Sequence, residues 1–299
     1  MNMKGLVMTS KTAIAAPWEV DPARINSRVV LLVEAFRDAI ARMRDEHGFT
    51  FEELGAAAKF FEYLHDTTGG PLAMFAVPLC SDVFQAGGNG YTISEEVTSP
   101  TYVDGSPEIE NPGSLPMRPD EQGTPMIASG RVLDGNHRPL AGAELIIYQA
   151  SNDGIYSGLW DPNAPKYNLR GRQFTDTDGR YRFTTITPVP YSDIPEHIAE
   201  EVEKVTSALG RSFYRPAHIH YEIHHADLLK PFRGEVYFSG DPSIPFDIAG
   251  PGFAVPSLQA ETVLHDEPED IAAHGFDGPF NTAVFDFVLK THASPEIAQ

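Results

Sequence analysis

The stretch Arg215-Pro216-Ala217-His218-Ile219-His220 decides how the second half of this chain is interpreted. Side chains two residues apart on a β-strand point to the same face, so His218 and His220 can reach one metal ion. Two tyrosines in strong local contexts, Tyr156 and Tyr191, lie upstream of this pair. A free phenol has a pKa of about 10, so only a strongly Lewis-acidic ion would hold two phenolates near neutral pH. Ferric iron fits that demand better than zinc or copper, and the pattern favours a non-haem Fe(III) enzyme.

β-like signals surround the histidines from about Ile127 onward. Strands are predicted over 131–135, 143–148 and 282–289, and in the runs through His218/His220 and Val236/Phe238. The first of these strands runs into a turn. A hairpin is predicted over 174–183, with Asp178-Gly179 at its turn. One helix is expected over 196–209. Short strands separated by turns favour a β-sandwich.

The N-terminal third has helical signals. Apolar residues recur at helical spacing from Val29 to Met43, and Gly48 ends the run. A capping-box pattern over 50–53 begins a second predicted helix, and a third could cover 72–84. The sequence therefore predicts an α+β protein with an arm and helical domain over 1–97, a Pro- and Gly-rich linker or pocket loop over 98–126, and a mainly antiparallel β-sandwich over 127–299.

Composition excludes several functional classes. The 299 residues carry a formal net charge of −20, which argues against nucleic acid and anionic lipid as partners. No apolar run approaches the roughly 20 residues needed to span a bilayer, and the N-terminus lacks a convincing signal peptide. Cys80 is the single cysteine, so neither an internal disulfide nor a cysteine metal cluster can form. These features favour a cytoplasmic protein.

Several motifs together carry a family resemblance. They are Asp153-Gly154-Ile155-Tyr156-Ser157, Leu169-Arg170-Gly171-Arg172, the segment 175–183, Thr187-Pro188-Val189-Pro190-Tyr191, the histidine motif over 215–220, Gly240-Asp241-Pro242 and the segment 284–289. With them the chain resembles the intradiol ring-cleaving dioxygenases, in the branch that has an N-terminal helical domain. The resemblance covers residues 26–290 and is strongest over 130–260.

The resemblance implies a ligand set and catalytic roles. Tyr156, Tyr191, His218 and His220 would be the four protein ligands of a non-haem Fe(III) ion. Tyr191 would also act in catalysis, by taking up a proton from an aromatic diol that binds through both oxygens. Arg215 would stabilise negative charge on the substrate while O2 attacks the ring. Relatives form their dimer contact with the helical domain, so a homodimer is expected.

Substrate choice depends on the predicted pocket residues. The resemblance points to Leu79, Asp82, Ile194, Pro195, Arg215, Glu235, Phe253 and Ala254. Asp82 could accept a hydrogen bond from a third ring hydroxyl, which favours hydroxyquinol (1,2,4-trihydroxybenzene), cleaved to maleylacetate, over catechol, cleaved to cis,cis-muconate. Many relatives have Gln where this chain has Glu235, and the loop over 101–107 also departs from the family pattern. An acid at 235 would pair with Arg215 and could weaken its action on the substrate.

Three other interpretations stay open at this stage. Glu222 shares a strand face with the histidines and could form a two-histidine, one-carboxylate iron(II) site. The region 130–187 also resembles transthyretin-like modules, so a non-catalytic binding module is the alternative of another class. The third is a dioxygenase site that Glu235 has inactivated.

Overall fold

The computed structural model describes residues 27–53, 55–56, 86–88, 90–94, 99, 101–159, 165–192, 199–200, 203, 212, 214–247 and 254–294. The chain divides into two compact units, Met1–Tyr63 and Leu64–Gln299. The domain limits at 97 and 126 stay predictions. Among the described residues, no helix has the length and apolar character needed to cross a membrane.

The first unit contains one long helix, α1 (Ser27–His47), followed by a capped helical start. Gly48, at a φ of 68°, follows the last turn of α1. The Thr50 amide donates to Glu53 Oε2 at 2.8 Å, and the Glu53 amide donates back to Thr50 Oγ1 at 3.1 Å. This reciprocal pair confirms the predicted capping box. The predicted helix over 72–84 lies outside the described residues, and so does most of the one over 196–209.

The second unit is built from strands. In chain order the described strands are β1 (Ala86–Gly88), β2 (Tyr91–Ser94), β3 (Gly113–Ser114), β4 (Pro125–Asp134), β5 (Glu144–Tyr148), β6 (Arg170–Phe174), β7 (Arg180–Ile186), β8 (His218–His224), β9 (Phe232–Phe238), β10 (Gln259–Ala260), β11 (Thr262–His265), β12 (Phe280–Val284) and β13 (Phe287–Leu289). A short helix, α2 (Pro268–His274), separates β11 from β12.

Two sheets form a β-sandwich. The first has the order β10-β9-β8-β5-β6, and the second has the order β11-β12-β4-β7-β3, with β13 also paired to β4. Apolar side chains from both sheets share one buried core, to which β8 contributes Ile219, Tyr221 and Ile223. The strand pairs are mainly antiparallel, and the parallel ones are β10–β9, β12–β4, β13–β4 and β3–β7. The α+β fold class is confirmed.

Three details differ from the predicted strands. The Asp178-Gly179 turn forms, but β6 pairs with β5 while β7 pairs with β4, so the segment crosses between sheets and is not a hairpin. Residues 282–289 are interrupted because Phe285 and Asp286 bond to β4 separately from the flanking strands. The pair β1–β2 and helix α2 were not predicted, since glycine-rich and short polar stretches carry weak periodic signals.

Candidate metal centre

Strand β8 presents two opposite faces, and both are buried. Ile219, Tyr221 and Ile223 point into the sandwich core, so His218 and His220 lie on the other face. The start of the strand is anchored, because the Ala217 amide donates to Asp241 Oδ2 at 2.9 Å. The alternation that keeps the apolar residues in the core therefore brings both imidazoles to one side of the sheet.

Two loops bring the tyrosines to the same side. A turn after β5, in which the Ser151 amide donates to the Ile155 carbonyl at 3.0 Å, leads directly into Tyr156. Gly154 lies in this turn at a φ of 80°, and a Cβ there would stand 3.0 Å from the Cβ of Tyr191. Only glycine fits that close approach without strain. Tyr191 is held by two backbone hydrogen bonds to Arg215, at 3.1 and 2.7 Å.

The four predicted ligand atoms converge. The hydroxyl oxygens of Tyr156 and Tyr191 are 3.0 Å apart, and each lies 3.3 Å from Nε2 of His218. The Nε2 atoms of His218 and His220 are 3.1 Å apart. Two ligands about 2.1 Å from one metal ion and at right angles to each other would be separated by about 3.0 Å. The spacing of the four atoms therefore fits a shared metal ion.

The protonation of the imidazoles fits a metal as well. Nδ1 of His218 lies 2.7 Å from the Pro216 carbonyl, which can only accept, so this nitrogen carries the proton and Nε2 presents a lone pair. Nδ1 of His220 lies 3.4 Å from Glu235 Oε1. The first arrangement is that of a histidine that donates to an outer partner and binds a metal through the inner nitrogen, and in His220 it is again the outer nitrogen that faces a carboxylate.

Burial keeps both imidazoles neutral. It lowers the pKa of His218 to about 4, against the opposing effect of Glu235, and the Arg215 charge acts in the same direction as burial. Burial likewise lowers the pKa of His220 well below its ordinary value. Neutral imidazole is the form that binds metals. Two phenol oxygens and two neutral imidazoles make a donor set suited to a hard, highly charged ion.

Among the described residues, the Arg215 side chain is held by Asp247, Glu235 and Tyr237. Its Nε donates to Asp247 at 3.0 Å, and its two terminal nitrogens donate to the two oxygens of Glu235 at 3.2 and 2.5 Å. Tyr237 accepts from Arg215 at 2.6 Å and donates to Glu235. Burial would lower the pKa of the guanidinium, but the Asp247 and Glu235 carboxylates outweigh it and raise that pKa well above its ordinary value. The cation is permanent and faces two anions.

Glu235, and not Glu222, is the carboxylate that accompanies the histidines. The ligand atoms of His218, His220 and Glu235 lie within 4.8 Å of one another. Glu222 instead lies near His224 and Arg233, at 3.7 and 3.6 Å. The structure contradicts the iron(II) interpretation through Glu222, because among the described residues the group that could hold a metal contains Glu235 and not Glu222. Both oxygens of Glu235 are engaged by Arg215, which favours an outer role for this carboxylate.

The other predicted pocket residues divide into two groups. Ala254 is buried and packs in a small apolar cluster with Tyr237. The remaining positions lie outside the described residues: Leu79, Asp82, Ile194, Pro195 and Phe253.

Sequence reasoning missed several side chains around the four donors. The ring of Tyr148 stacks on His220, with centroids 4.6 Å apart and planes 8° from parallel. The hydroxyl of Thr101 lies 3.4 Å from Nε2 of His220. Arg170 packs over Tyr148 and Tyr156. The alternation of β5 could have placed Tyr148 on the histidine face, but no local pattern pointed to Asp247.

Comparison with known proteins agrees with this geometry. The sequence model of the family described as Dioxygenase matches residues 97–290. The chain belongs to the intradiol ring-cleaving dioxygenase family. It is 34% identical to the chlorocatechol 1,2-dioxygenase of Rhodococcus opacus over 271 residues, which cover 89% of this chain and 98% of that protein.

Two further members of the family extend the comparison. Catechol 1,2-dioxygenase of Acinetobacter baylyi is 34% identical over 196 residues, or 64% of this dioxygenase and 60% of the relative. The crystal structure of hydroxyquinol 1,2-dioxygenase from Pseudomonas putida DLL-E4 superposes with a TM-score of 0.73 at 25% identity, covering 89% of this chain and 93% of that one. The relatives act on three different diols, so similarity alone leaves the substrate of this dioxygenase unassigned.

Proposed function

We propose that this dioxygenase uses Fe(III) to cleave the ring of a catechol-type diol between its two hydroxylated carbons, with hydroxyquinol as its preferred substrate. One observation carries the proposal: two phenol oxygens and two imidazole nitrogens meet with neighbouring separations of 3.0 to 3.3 Å. Both atoms of O2 enter the product, a dicarboxylate. With hydroxyquinol the product is maleylacetate.

Tyr156, Tyr191, His218 and His220 would hold the ion. Bound there, Fe(III) would supply the Lewis acidity that lets the diol bind as a dianion and react with O2. The protein contributes the rest of the chemistry. The diol gives up two protons: the phenolate of Tyr191 would take one at its oxygen and a hydroxide from solvent the other. Arg215 stabilises the negative charge that develops on the ring.

The charge environment of Arg215 favours an electron-rich substrate. Glu235 and Asp247 are both buried, at 4% and 0% exposure, and both pair with this guanidinium. Two anions offset the one cation, so Arg215 stabilises substrate charge less than an unpaired arginine would. With less help from Arg215, the ring's own reactivity toward O2 decides the rate. A third hydroxyl donates electron density and speeds attack by the electrophilic O2, whereas a chlorine substituent withdraws density and slows it. This argument adds to the predicted hydrogen bond between Asp82 and the third hydroxyl.

Oxygen uptake tests the proposal. Iron-loaded protein would be assayed with hydroxyquinol, catechol and a chlorocatechol at equal concentration. We expect one O2 consumed for each diol and the highest kcat/KM with hydroxyquinol. Faster uptake with catechol would make the enzyme a catechol 1,2-dioxygenase that forms cis,cis-muconate. A colourless iron-loaded protein without uptake would favour the non-catalytic β-sandwich module.

We also propose that the enzyme is a homodimer joined through its N-terminal helices. Helix α1 exposes large apolar side chains, namely Val30, Leu31, Leu32, Val33, Phe36 and Met43. Light scattering on a sizing column should give twice the mass of one chain. Phe36→Glu should give the monomer mass, while Arg44→Glu, a substitution of an exposed charged residue on the same helix, should leave the dimer intact.

A further inference from the structure

A row of four side chains crosses the sheet beside the metal centre. Directly opposite residues on adjacent strands point to the same face, and the register aligns Arg170 on β6, Tyr148 on β5, His220 on β8 and Glu235 on β9. The row has a cation at one end and an anion at the other. Glu235 already has its cation in Arg215, so the charge of Arg170 is left to be explained.

Arg170 is a fully buried cation, at 0% exposure. Its Nε donates to the carbonyl and hydroxyl oxygens of Ser157 at 3.0 and 3.1 Å. Within the described part of the chain, its two terminal nitrogens have no hydrogen-bond partner and no carboxylate forms an ion pair with it. An uncompensated buried charge costs several kcal/mol, so a fold retains one only where something offsets that cost.

The guanidinium faces two aromatic rings. Its carbon lies 5.2 Å from the ring centroid of Tyr148 and 5.6 Å from that of Tyr156. Tyr148 is not among the four converging donors, and its ring stacks on His220 instead. Tyr156 is the nearby group that becomes an anion if it binds the ion by the proposed function.

We propose that Arg170 is a positioning residue for the metal centre, whose permanent charge stabilises the anionic form of Tyr156 while its Nε fixes the backbone that carries this ligand. The inference rests on the proposed Fe(III) site. The Arg170 bond to Ser157, the residue that follows Tyr156, holds the phenol in place. The Arg170 charge beside the Tyr156 ring lowers the energy of electrons on the phenolate oxygen. The phenolate form is therefore favoured, which strengthens metal binding. The same charge sets the energy of phenolate-to-metal charge transfer.

Arg170→Met tests the charge, and Arg170→Lys separates charge from hydrogen bonding. With iron bound, the methionine variant should shift the phenolate charge-transfer band to longer wavelength by on the order of 10 nm or more, because phenolate electrons lose a cation about 6 Å away. Its metal affinity should fall about 10- to 100-fold. The lysine variant keeps a charge and should keep a band close to that of the wild type.

The control is Arg172→Met on the same strand. Arg172 is partly exposed and already paired with Glu108 and Glu144, so its loss should leave the band unmoved. Metal-free Arg170→Met should melt within about 5 °C of the wild type, since the apo-protein loses an uncompensated buried charge. A wild-type band that Arg170→Met does not move, or that Arg170→Lys moves equally, would overturn the inference and leave the iron site standing. A wild-type protein that shows no band would overturn both.

Discussion

Two arginines flank the same four donor atoms, Arg170 fully buried and Arg215 partly exposed, and their surroundings are opposite. Arg215 contacts two carboxylates and a phenol, whereas Arg170 contacts a serine and two aromatic rings and has no acid among its described partners. A buried charge needs an opposite charge, so the first cation is compensated by the fold itself. The second is compensated only when a phenolate forms. The comparison indicates that the Arg215 side of the site is complete in the fold, whereas the Arg170 side would be completed by the phenolate of the proposed metal site.

Removal of the Arg215 charge should have the largest effect. Arg215→Met leaves Glu235 and Asp247 buried without their cation, and breaking such a group costs about 3 to 5 kcal/mol. We expect the free energy of unfolding of the metal-free protein, measured in urea, to fall by this amount. We also expect kcat/KM to fall about 100- to 1,000-fold, because the guanidinium no longer stabilises the negative charge that develops on the substrate ring.

A second variant checks the cause of that loss. Arg215→Met combined with Glu235→Gln removes one stranded anion and should recover a measurable part of the stability while activity stays low. If the single Arg215→Met variant is as stable as the wild type, the two buried carboxylates do not depend on this cation. The contrast with Arg170 would then disappear.

The two arginines also bear on the pH dependence of the metal-free protein. Burial lowers the pKa of His218 from 6.5 to about 4, and the charge of Arg215 adds to that shift. For His220 burial again dominates, with smaller contributions from both arginines. Because the folded-state pKa is depressed, the unfolded chain binds more protons between these values. Stability is complete above pH 6.5 and is lost as pH falls through 4, by roughly 3 kcal/mol for His218.

Urea unfolding at pH 7, 5.5 and 4 measures this dependence. His218→Gln removes one titrating group and should flatten the curve over the same range. A wild-type curve that stays level from pH 7 to 4 would show that the imidazoles are not held neutral by their burial.

The contrast between the arginines also shows what sequence reasoning could reach. Spacing along one strand was enough to place His218 and His220 on one face, and the capping box at Thr50 formed as predicted. The row from Arg170 to Glu235 was not accessible, because it depends on the register of four strands that are far apart in sequence. The predicted hairpin was wrong for a related reason: a tight turn fixes where the chain reverses, but competition among strands decides pairing.

Glu235→Gln should give the smallest effect and sharpens the comparison most directly. The amide keeps the shape and can still accept from Arg215, but it removes one of the two anions that offset this guanidinium. Arg215 should then stabilise substrate charge better, and electron-poor diols, which react most slowly with O2 on their own and so depend most on the site, should gain most. We expect the ratio of kcat/KM for chlorocatechol over hydroxyquinol to rise about tenfold, which corresponds to about 1.4 kcal/mol.

Glu222→Gln is the matched control for this substitution. Glu222 is equally buried and lies on the neighbouring strand, but its ion pair is with Arg233 and not with Arg215. Its substitution should leave the substrate ratio unchanged. If both variants shift the ratio equally, the effect comes from the net charge of the site. If neither does, the charge balance at Arg215 does not select the substrate, and the preference must come from contacts such as the one predicted for Asp82.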